Sequence, residues 1–381
     1  MTTDPHRTPE ANPGTGISPS SSVPGGVDPI LQKALDGERI QPEEALELFT
    51  TTDHLLLGNV ASRLARRKRS DRIVTYIVDR NINHTNICVT DCSFCAFYRR
   101  PGAEDAYVLP FETIAGKIAK TLALGGRQIL LQGGHHIDLR IDYYEDLFRS
   151  IKKRFDIHLH ALSPAEIQHI RKVSRLTLKE TLQRLREAGL DSIPGGGAEI
   201  LVDRVRQKIS PRKCSADEWL EVMDQAHRMD IPTTATMMFG HVESLADRVE
   251  HLRRIREQQD QTGGFTAFIP WPYQPGNTEL SRDMGITSPV TGLDYLKTLA
   301  ISRIFLDNFD NLQASWVTQG PKIGQVSLLY GANDMGSTML EENVVAAAGT
   351  VYCLNEEDIR RLIKDCGFTP QRRNMRYEFV N

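Results

Sequence analysis

Strand-like and helix-like segments alternate along most of this chain, and the alternation limits the folds that it can adopt. Short apolar runs bounded by Gly-bearing loops predict buried strands, and amphipathic helical segments lie between them. The strand candidates are "VTYIVDRNINHTNI", "RQILLQGG", "DIHLHAL", residues 189–193, "TTATMMF", "FTAFI", "NLQAS" and "VSLLY". This succession predicts an α/β protein with a (β/α)8 TIM-type barrel. An open doubly wound sheet is the alternative, but no G-x-G-x-x-G motif follows the first strand.

Three parts are predicted along the 381 residues. Residues 1–27 are rich in Pro, Gly, Ser and Thr, which predicts a disordered tail. Residues 28–76 predict a helical N-terminal extension, because "PEEALELF" and "DHLLLGNVASRLARR" carry a helical pattern. Residues 77–381 predict the barrel followed by a C-terminal helical segment.

Charge and hydropathy restrict the partners. The formal net charge of −3 offers no positive excess for nucleic acid, and we interpret the basic run at residues 63–72 as a solvated helix face. No stretch approaches the roughly 20 consecutive apolar residues of a membrane-spanning helix. The tail lacks the apolar core of a signal peptide. We therefore expect a cytoplasmic protein with no nucleic-acid partner and no membrane insertion.

Three of the six cysteines lie together in "ICVTDCSFCAFYRR", at Cys88, Cys92 and Cys95. In a reducing compartment such a cluster is more often a metal site than a disulfide framework. A closed zinc site and an ordinary iron–sulfur cluster each want four ligands. A histidine such as His84 completing a zinc site and a distant fourth ligand completing a structural cluster both remain open on spacing alone.

Polar clusters follow several predicted strands. They are "GGHH" at residues 133–136, "GGGAE" at 195–199, "GHVE" at 240–243 and "GANDMGS" at 331–337. In a β/α barrel the loops after the strands share one face, where active sites lie. We expect these clusters and the cysteines to converge there.

The cysteine motif resembles the C-x-x-x-C-x-x-C signature of the radical S-adenosylmethionine enzymes, which carry an aromatic residue before the last cysteine, as Phe94 is here. The resemblance implies that Cys88, Cys92 and Cys95 hold three irons of a 4Fe-4S cluster. S-adenosyl-L-methionine would bind the fourth iron, and this answers the lack of a fourth cysteine. It also implies a low-potential electron donor and a 5'-deoxyadenosyl radical that removes a hydrogen atom from the substrate.

Further cofactor contacts follow from the same resemblance. Gly133 and Gly134 match the glycine pair whose backbone meets the methionine amino group, although His135 replaces the usual acidic residue. Glu199 sits where related enzymes touch the methionine or ribose of the cofactor. A helix-start charge is the alternative role for Glu199.

From "DRNINHTNICVTDCSFCAFYR" to "GANDMGSTMLEENVV" the chain is similar to the cyclic dehypoxanthinyl futalosine synthases of menaquinone biosynthesis. That family cyclises dehypoxanthine futalosine by abstracting the hydrogen at C4' and forming a carbon–carbon bond. The sister aminofutalosine synthases and other radical ligases of the subfamily are the alternatives. A non-catalytic barrel stabilised by zinc is a third. Ile137 and Asp230 depart from the pattern, which favours Pro and Gly there.

The substrate side of the site is less constrained. His135 and His136 directly follow the glycine pair, and we expect them to face the substrate. Two histidines, at 158 and 160, alternate along a strand and therefore point to one side. The tryptophans at 271 and 316 are expected to pack in the core. The further candidates are His158, His160, His241, Glu243, Asn333 and Asp334.

Overall fold

The computed structural model describes residues 27–69 and 71–380. The tail predicted for residues 1–27 lies outside them except for Val27, where the first helix begins. Three helices precede the first strand, in the segment for which a helical extension is predicted, and α3 packs on a later helix of the barrel. Their bounds are α1 Val27–Leu35, α2 Pro42–Leu48 and α3 His54–Lys68.

All paired strands of the described sheets run parallel. Their bounds are β1 Ile73–Ile77, β2 Asp79–Asn83, β3 Gln128–Gln132, β4 His158–Ala161, β5 Thr233–Phe239, β6 Phe265–Pro272, β7 Asp334–Ser337 and β8 Thr369–Arg372. Only Val78 separates β1 from β2, so together they act as one long strand. β1 begins inside the stretch assigned to the helical extension.

The ring of strands closes on itself. β7 pairs with β1, β2 with β3, β3 with β4, and β5 with β6. Short parallel bridges fill the two remaining places: residues 192–193 link β4 to β5, and residues 312–313 link β6 to β7. With β1 and β2 counted as one, this makes eight parallel positions, and the predicted (β/α)8 barrel is confirmed. β8 pairs with the outer part of β1 as an addition to the ring.

Helices fill the connections between these strands. Their bounds are α4 Phe111–Ala123, α5 Ile141–Arg154, α6 Pro164–Ser174, α7 Leu178–Ala188, α8 Asp203–Ile209, α9 Ala216–Arg228, α10 Leu245–Thr262, α11 Glu279–Met284, α12 Gly292–Phe305, α13 Trp316–Ser327, α14 Val344–Ala347 and α15 Glu356–Asp365. Ser163 and Ser215 each form a capping box with the glutamate three residues later, at the starts of α6 and α9. No helix among the described residues is long and apolar enough to cross a bilayer.

The last predicted strand is wrong. "VSLLY" continues the end of α13 and a turn, and the eighth barrel position is β7, inside the segment "GANDMGS" that was expected to be a loop. The apolar run suits a buried helix end as well as a strand, because periodicity does not separate short runs. Asp230, where the family pattern has Gly, adopts a left-handed φ of 55°. This is a conformation that Gly or Asp tolerates.

Candidate functional site

The three cysteines lie on one loop at the carboxyl end of β2. The backbone N–H of Cys88 donates to the Arg99 carbonyl at 2.9 Å, and that of Cys95 donates to the Cys92 carbonyl at 3.0 Å. The Thr90 hydroxyl lies 2.8 Å from the Cys88 sulfur and 3.6 Å from the Cys92 sulfur. The loop is therefore held in part by its own hydrogen bonds, with the sulfurs of Cys88 and Cys92 on either side of one hydroxyl.

A cavity of about 200 Å³, the thiol cavity, opens beside this loop. All three cysteines line it, and so do the four predicted cofactor contacts: Phe94 on the cysteine loop itself, Gly133 and Gly134 after β3, and Glu199 after the strand position at 192–193. His135, expected to face the substrate, lines it as well. The residues that sequence reasoning placed around the cofactor are thus brought together, while His136 lines neither this cavity nor the second one described below.

The glycine pair allows the loop after β3 to approach the cysteine loop. A Cβ at Gly134 would lie 2.2 Å from the Ile87 carbonyl oxygen, and one at Gly133 would lie 2.5 Å from the His84 imidazole. The Gly133 N–H donates to a carboxylate oxygen of Glu166 at 2.8 Å. Any other residue at 134 would push the two loops apart, so these glycines act through close packing.

Glu166 has a double role. Its carboxylate accepts from the Ser163 N–H and hydroxyl, both at 2.7 Å, as the capping box of α6. It also lines the thiol cavity and holds Gly133. Burial raises the pKa of Glu166, against the hydrogen bonds from Ser163 and Gly133 that lower it. Glu166 thus joins the start of α6 to the wall of the thiol cavity.

Lys213 is a cavity residue that sequence reasoning missed. Its ammonium pairs with the Glu199 carboxylate at 2.5 Å, with side chains 12% and 4% exposed, and lies 5.1 Å from the centre of the Phe94 ring. Burial by itself would raise the pKa of Glu199, but Lys213 and Arg206 bring it below its ordinary value. Only the fold joins Lys213 to Glu199, because they lie on separate loops either side of α8.

Glu199 also has an uncommon backbone. Its φ is 43°, in the left-handed region that a bulky residue enters at a cost of order 1–3 kcal/mol. It lies four residues before Asp203, where α8 begins, so its carboxylate is outside the first turn of that helix. Its orientation towards Lys213 and the cavity leaves no helix-start role.

The surroundings of Cys92 and Cys95 disfavour the thiolate forms of these two residues. Burial raises the pKa of Cys92 to about 12 and also raises that of Cys95, while the nearby Lys213 ammonium lowers both. Binding a metal cluster must therefore displace protons from the sulfurs. A buried cation beside them favours the thiolate forms.

The zinc alternative named His84 as an example of a fourth ligand. Among the described residues, no three Cys, His, Asp or Glu side chains converge on a point where one metal ion could sit. His84 is buried with both ring nitrogens unbonded to any described residue, and burial lowers its pKa to about 3.

A second cavity of about 290 Å³, the inner cavity, lies inside the barrel. It shares four wall residues with the thiol cavity: Gln132, Gly196, Trp271 and Val344. The remaining walls are mainly apolar or amide side chains such as Leu130, Ile269, Gln313 and Met339, with Arg373, Met375 and Tyr377 from the segment after β8. The two cavities are therefore neighbours across a wall only one residue deep.

The charged residues that line the inner cavity, Asp79, Glu342 and Arg373, already have partners in the protein, and Glu342 accepts from the Asn81 amide at 2.9 Å. Arg373 donates to both oxygens of Asp334, at 2.5 and 2.9 Å. Asp79 accepts from the Ser337 hydroxyl and from the Gln128 amide. Burial raises the pKa of Asp79 despite these donors. The inner cavity thus offers little free charge.

Several predicted residues lie elsewhere. The His136 ring accepts from the backbone N–H of Asp138, and His136 lines neither cavity. His241 and Glu243 pair at 3.2 Å beside Arg248, away from both. Asn333 binds Arg303 in the core at 2.9 Å. The prediction that His136 faces the substrate is not met by this placement, whereas Trp271, expected to pack in the core, lines both cavities.

Comparison with known proteins agrees with this geometry. Residues 82–255 match the radical SAM superfamily and residues 262–381 match the "CofH/MqnC C-terminal region". The chain is 46% identical, over 93% of its length and 95% of the relative, to a cyclic dehypoxanthine futalosine synthase of Halalkalibacterium halodurans.

The chain belongs to the radical SAM superfamily.

Other relatives in the superfamily carry different names. An aminodeoxyfutalosine synthase of Thermus thermophilus is 40% identical over 92% of this chain and 95% of that protein. A 5-amino-6-(D-ribitylamino)uracil–L-tyrosine 4-hydroxyphenyl transferase of Methanothermobacter thermautotrophicus is 44% identical over 92% and 97%. The FeFe-hydrogenase maturase HydG from Carboxydothermus hydrogenoformans has the same fold, with a TM-score of 0.72 at 17% identity over 92% of this chain and 80% of that chain.

Radical SAM enzymes use a 4Fe-4S cluster and S-adenosylmethionine, and the thiol cavity fits both groups. Three thiols are the number of protein ligands that such a cluster would need if the cofactor bound the fourth iron. Glycines 133, 134, 196 and 197 let the loops that line this cavity pack closely together, because a Cβ at any of them would meet a neighbour at 2.8 Å or less. The buried Lys213 and Glu199 match a cofactor that carries both a carboxylate and positive charge.

Proposed function

We propose that this protein converts dehypoxanthine futalosine into cyclic dehypoxanthinyl futalosine in menaquinone biosynthesis. The observation that carries the proposal is the pair of adjoining cavities, one lined by three thiols and one largely apolar, with four wall residues in common. The family resemblance gives the reaction, and the second cavity gives a place for a substrate that must be shielded from water.

In the thiol cavity we propose that Cys88, Cys92 and Cys95 hold the cluster and that Gly133, Gly134, Phe94 and Glu199 contact S-adenosylmethionine. When bound, this pair of groups supplies a 5'-deoxyadenosyl radical. The chain's own residues position it: Glu166 fixes Gly133, and Lys213 fixes Glu199. His135 is buried against His169, with ring centres 5.0 Å apart, and we propose that it packs beside the cofactor.

In the inner cavity we propose that the substrate lies with C4' of its ribose at the shared wall. The wall is thin there because Gly196 has no side chain, and a Cβ at this position would lie 2.8 Å from the Gln132 amide nitrogen. The Gln132 side-chain amide makes no hydrogen bond to any described residue, so it is free to bind a ribose hydroxyl. Proximity of this kind supplies much of the rate of an intramolecular bond formation.

We also propose a cytoplasmic location and a low-potential electron donor as the protein partner. Both follow from the chemistry: a reduced cluster needs an electron source, and thiols survive in a reducing compartment. The alternative activity is that of an aminofutalosine synthase or another radical ligase. The chain is 46% identical to a cyclic dehypoxanthine futalosine synthase, 44% identical to the 4-hydroxyphenyl transferase and 40% identical to the aminodeoxyfutalosine synthase, so sequence identity alone does not separate these activities.

The test is an anaerobic incubation of the cluster-loaded protein with S-adenosylmethionine, a reductant and dehypoxanthine futalosine, followed by mass spectrometry. The expected result is 5'-deoxyadenosine together with a product two hydrogens lighter than the substrate. Deoxyadenosine without that product would discard the substrate, and incubation with the substrates of the sister enzymes would then identify the alternative. If neither 5'-deoxyadenosine nor the cyclised product formed, the radical activity itself would be overturned.

A further inference from the structure

Two histidines and a serine form a chain of hydrogen bonds from the inner cavity towards the other end of the barrel. The Ser192 hydroxyl lies 2.7 Å from His160 Nδ1 and 2.7 Å from His158 Nε2. His160 lines the inner cavity, and His158 lines a separate small cavity of about 30 Å³ near the amino end of β4. The three side chains therefore link the inner cavity to this small cavity. The two cavities also share four lining residues: Ile77, Gln128, Arg373 and Met375.

The hydrogen bonds among His160, Ser192 and His158 can carry a proton in one direction at a time. A serine hydroxyl has one proton, so it accepts from one histidine and donates to the other. If His160 carries its proton on Nδ1, it donates to Ser192, and Ser192 donates to His158. His160 Nε2 makes no hydrogen bond to any described residue, and in this state it has a free lone pair.

We propose that His160 accepts the ring proton in the last step of the cyclisation and that Ser192 and His158 pass a proton on to the far end of the barrel. This inference rests on the proposed function. After the new carbon–carbon bond forms, the ring carbon holds one hydrogen too many and the ring carries one unpaired electron. The C–H electron pair returns to the ring, the proton goes to His160 Nε2, and the excess electron goes to a one-electron acceptor, the class to which an oxidised iron–sulfur cluster belongs.

The surroundings suit neutral histidines that accept a proton transiently. Burial lowers the pKa of His160 well below its ordinary value, as do His158 and Arg373 beside it. Burial lowers the pKa of His158 to about 4, with Asp191 opposing that shift and Lys152 and Arg376 adding to it. Both rings are therefore uncharged at neutral pH, and an uncharged imidazole is the form that can accept a proton.

The far end of the chain reaches solvent. Asp191 pairs with Lys152 at 2.5 Å, and their side chains are about one-third exposed. Asp191 also accepts from the backbone N–H of Leu159, between the two histidines. A proton that arrives at His158 thus lies beside a partly hydrated carboxylate, where it can leave the protein.

The experiment compares His160→Gln, Ser192→Ala and His158→Gln with Ser192→Thr and with the control Ser302→Ala, a buried serine of α12 whose hydroxyl only donates to the Thr298 carbonyl. The measurements are cyclised product per 5'-deoxyadenosine formed, and the isotope effect on product formation with a substrate deuterated on its benzoate ring. Iron content and melting temperature show whether each variant is folded and loaded.

We expect His160→Gln to lower product per deoxyadenosine by about 100-fold, and Ser192→Ala and His158→Gln by about 10-fold, because general-base catalysis contributes factors of this order. The ring isotope effect should rise in all three variants, since proton loss becomes the slow step. Ser192→Thr should restore both readouts towards wild type, and Ser302→Ala should leave them unchanged.

The outcomes separate the two proposals. Suppose that the wild-type protein cyclises the substrate, and that the loaded variants match its product ratio and show no rise in the isotope effect. This result overturns the proton relay alone. Loss of product without a rise in the isotope effect also overturns it, because a merely structural histidine would behave in that way. A wild-type protein that forms deoxyadenosine but no cyclised product overturns the proposed function, and the relay falls with it.

Discussion

The thiol cavity and the inner cavity share a wall but differ in how their polar groups are arranged. The thiol cavity concentrates three thiols, two buried carboxylates and a lysine within about 200 Å³. In the inner cavity of about 290 Å³, the acids Asp79 and Glu342 accept hydrogen bonds from amide side chains of the protein, and Arg373 is bonded to Asp334 behind the wall. One cavity is thus arranged for a charged, metal-bound ligand and the other for a largely uncharged one.

The difference also concerns how each cavity is encoded. The thiol cavity comes from short contiguous motifs after the strands, so its residues stand out in the sequence. The inner cavity comes from single inward-facing residues spaced along all eight strand positions, and no local pattern marks them. Substitutions in the thiol cavity and in the inner cavity should therefore impair the protein in different ways.

The largest expected effect is complete loss of activity in Cys92→Ser. A serine hydroxyl at this buried position cannot replace the thiolate, so we expect less bound iron, loss of the visible absorption of the reconstituted protein, and no 5'-deoxyadenosine. Iron analysis and absorption spectroscopy measure this. Cys353→Ser, at an exposed cysteine away from both cavities, is the matched control and should retain the cluster. A fully loaded, active Cys92→Ser protein would remove this residue from the site.

Lys213→Met should have the next largest effect. Removing one member of a buried ion pair leaves the other charge uncompensated and costs about 3–5 kcal/mol of unfolding free energy. Chemical denaturation of the unloaded protein measures the loss. The double variant Lys213→Met with Glu199→Gln should recover part of that stability, because no charge is then left alone. Equal stability of the single and double variants would contradict the pairing.

Glu199→Gln gives the pH dependence of the same pair. The folded pKa of Glu199 is lowered, so its contribution to stability is present above the unfolded value of about 4.3 and is lost as the pH falls through the folded value. The variant should therefore be less stable than wild type at pH 7 and approach it in acid. Melting temperatures from pH 3 to 8 test this. A difference that stays constant over the range would assign the effect to packing.

Gly134→Ala should cost about 1–3 kcal/mol, because the added methyl group meets the Ile87 carbonyl, a backbone atom that cannot turn aside. Cluster loading should fall with it, since the cysteine loop is displaced. Gly116→Ala is the control: it lies in α4 with open space around its Cβ position and should be neutral or slightly stabilising. Similar melting temperatures for the two variants would show that the loop tolerates the methyl group.

The smallest effect is expected on the inner side of the shared wall. Gln132→Met keeps the length of the side chain but removes the amide, so we expect about 10-fold less cyclised product per deoxyadenosine, the equivalent of roughly one hydrogen bond. The cluster spectrum should not change. If cluster loading fell instead, Gln132 would belong functionally to the thiol cavity, and the distinction between the two sides would fail.

Sequence reasoning recovered the barrel because alternation of strands and helices reflects burial on both faces of a parallel sheet. It failed at the eighth strand, where "VSLLY" is more apolar than "DMGS". The actual strand has small and polar residues because it carries Asp334, whose carboxylate is neutralised by Arg373 from the far end of the chain. Its strand character depends on a partner that local propensity does not include.

The sequence by itself determined the barrel class, the cysteine loop and the glycine pair, because each is a local pattern whose physical requirement lies within a few residues. The tertiary structure alone decided that Lys213 pairs with Glu199, that His136 lines neither cavity while Trp271 and Gln132 form a shared wall, and that His160 and His158 meet at Ser192. These arrangements join loops and strands far apart in the chain, and their energies come from burial and charge pairing that exist only once the barrel closes.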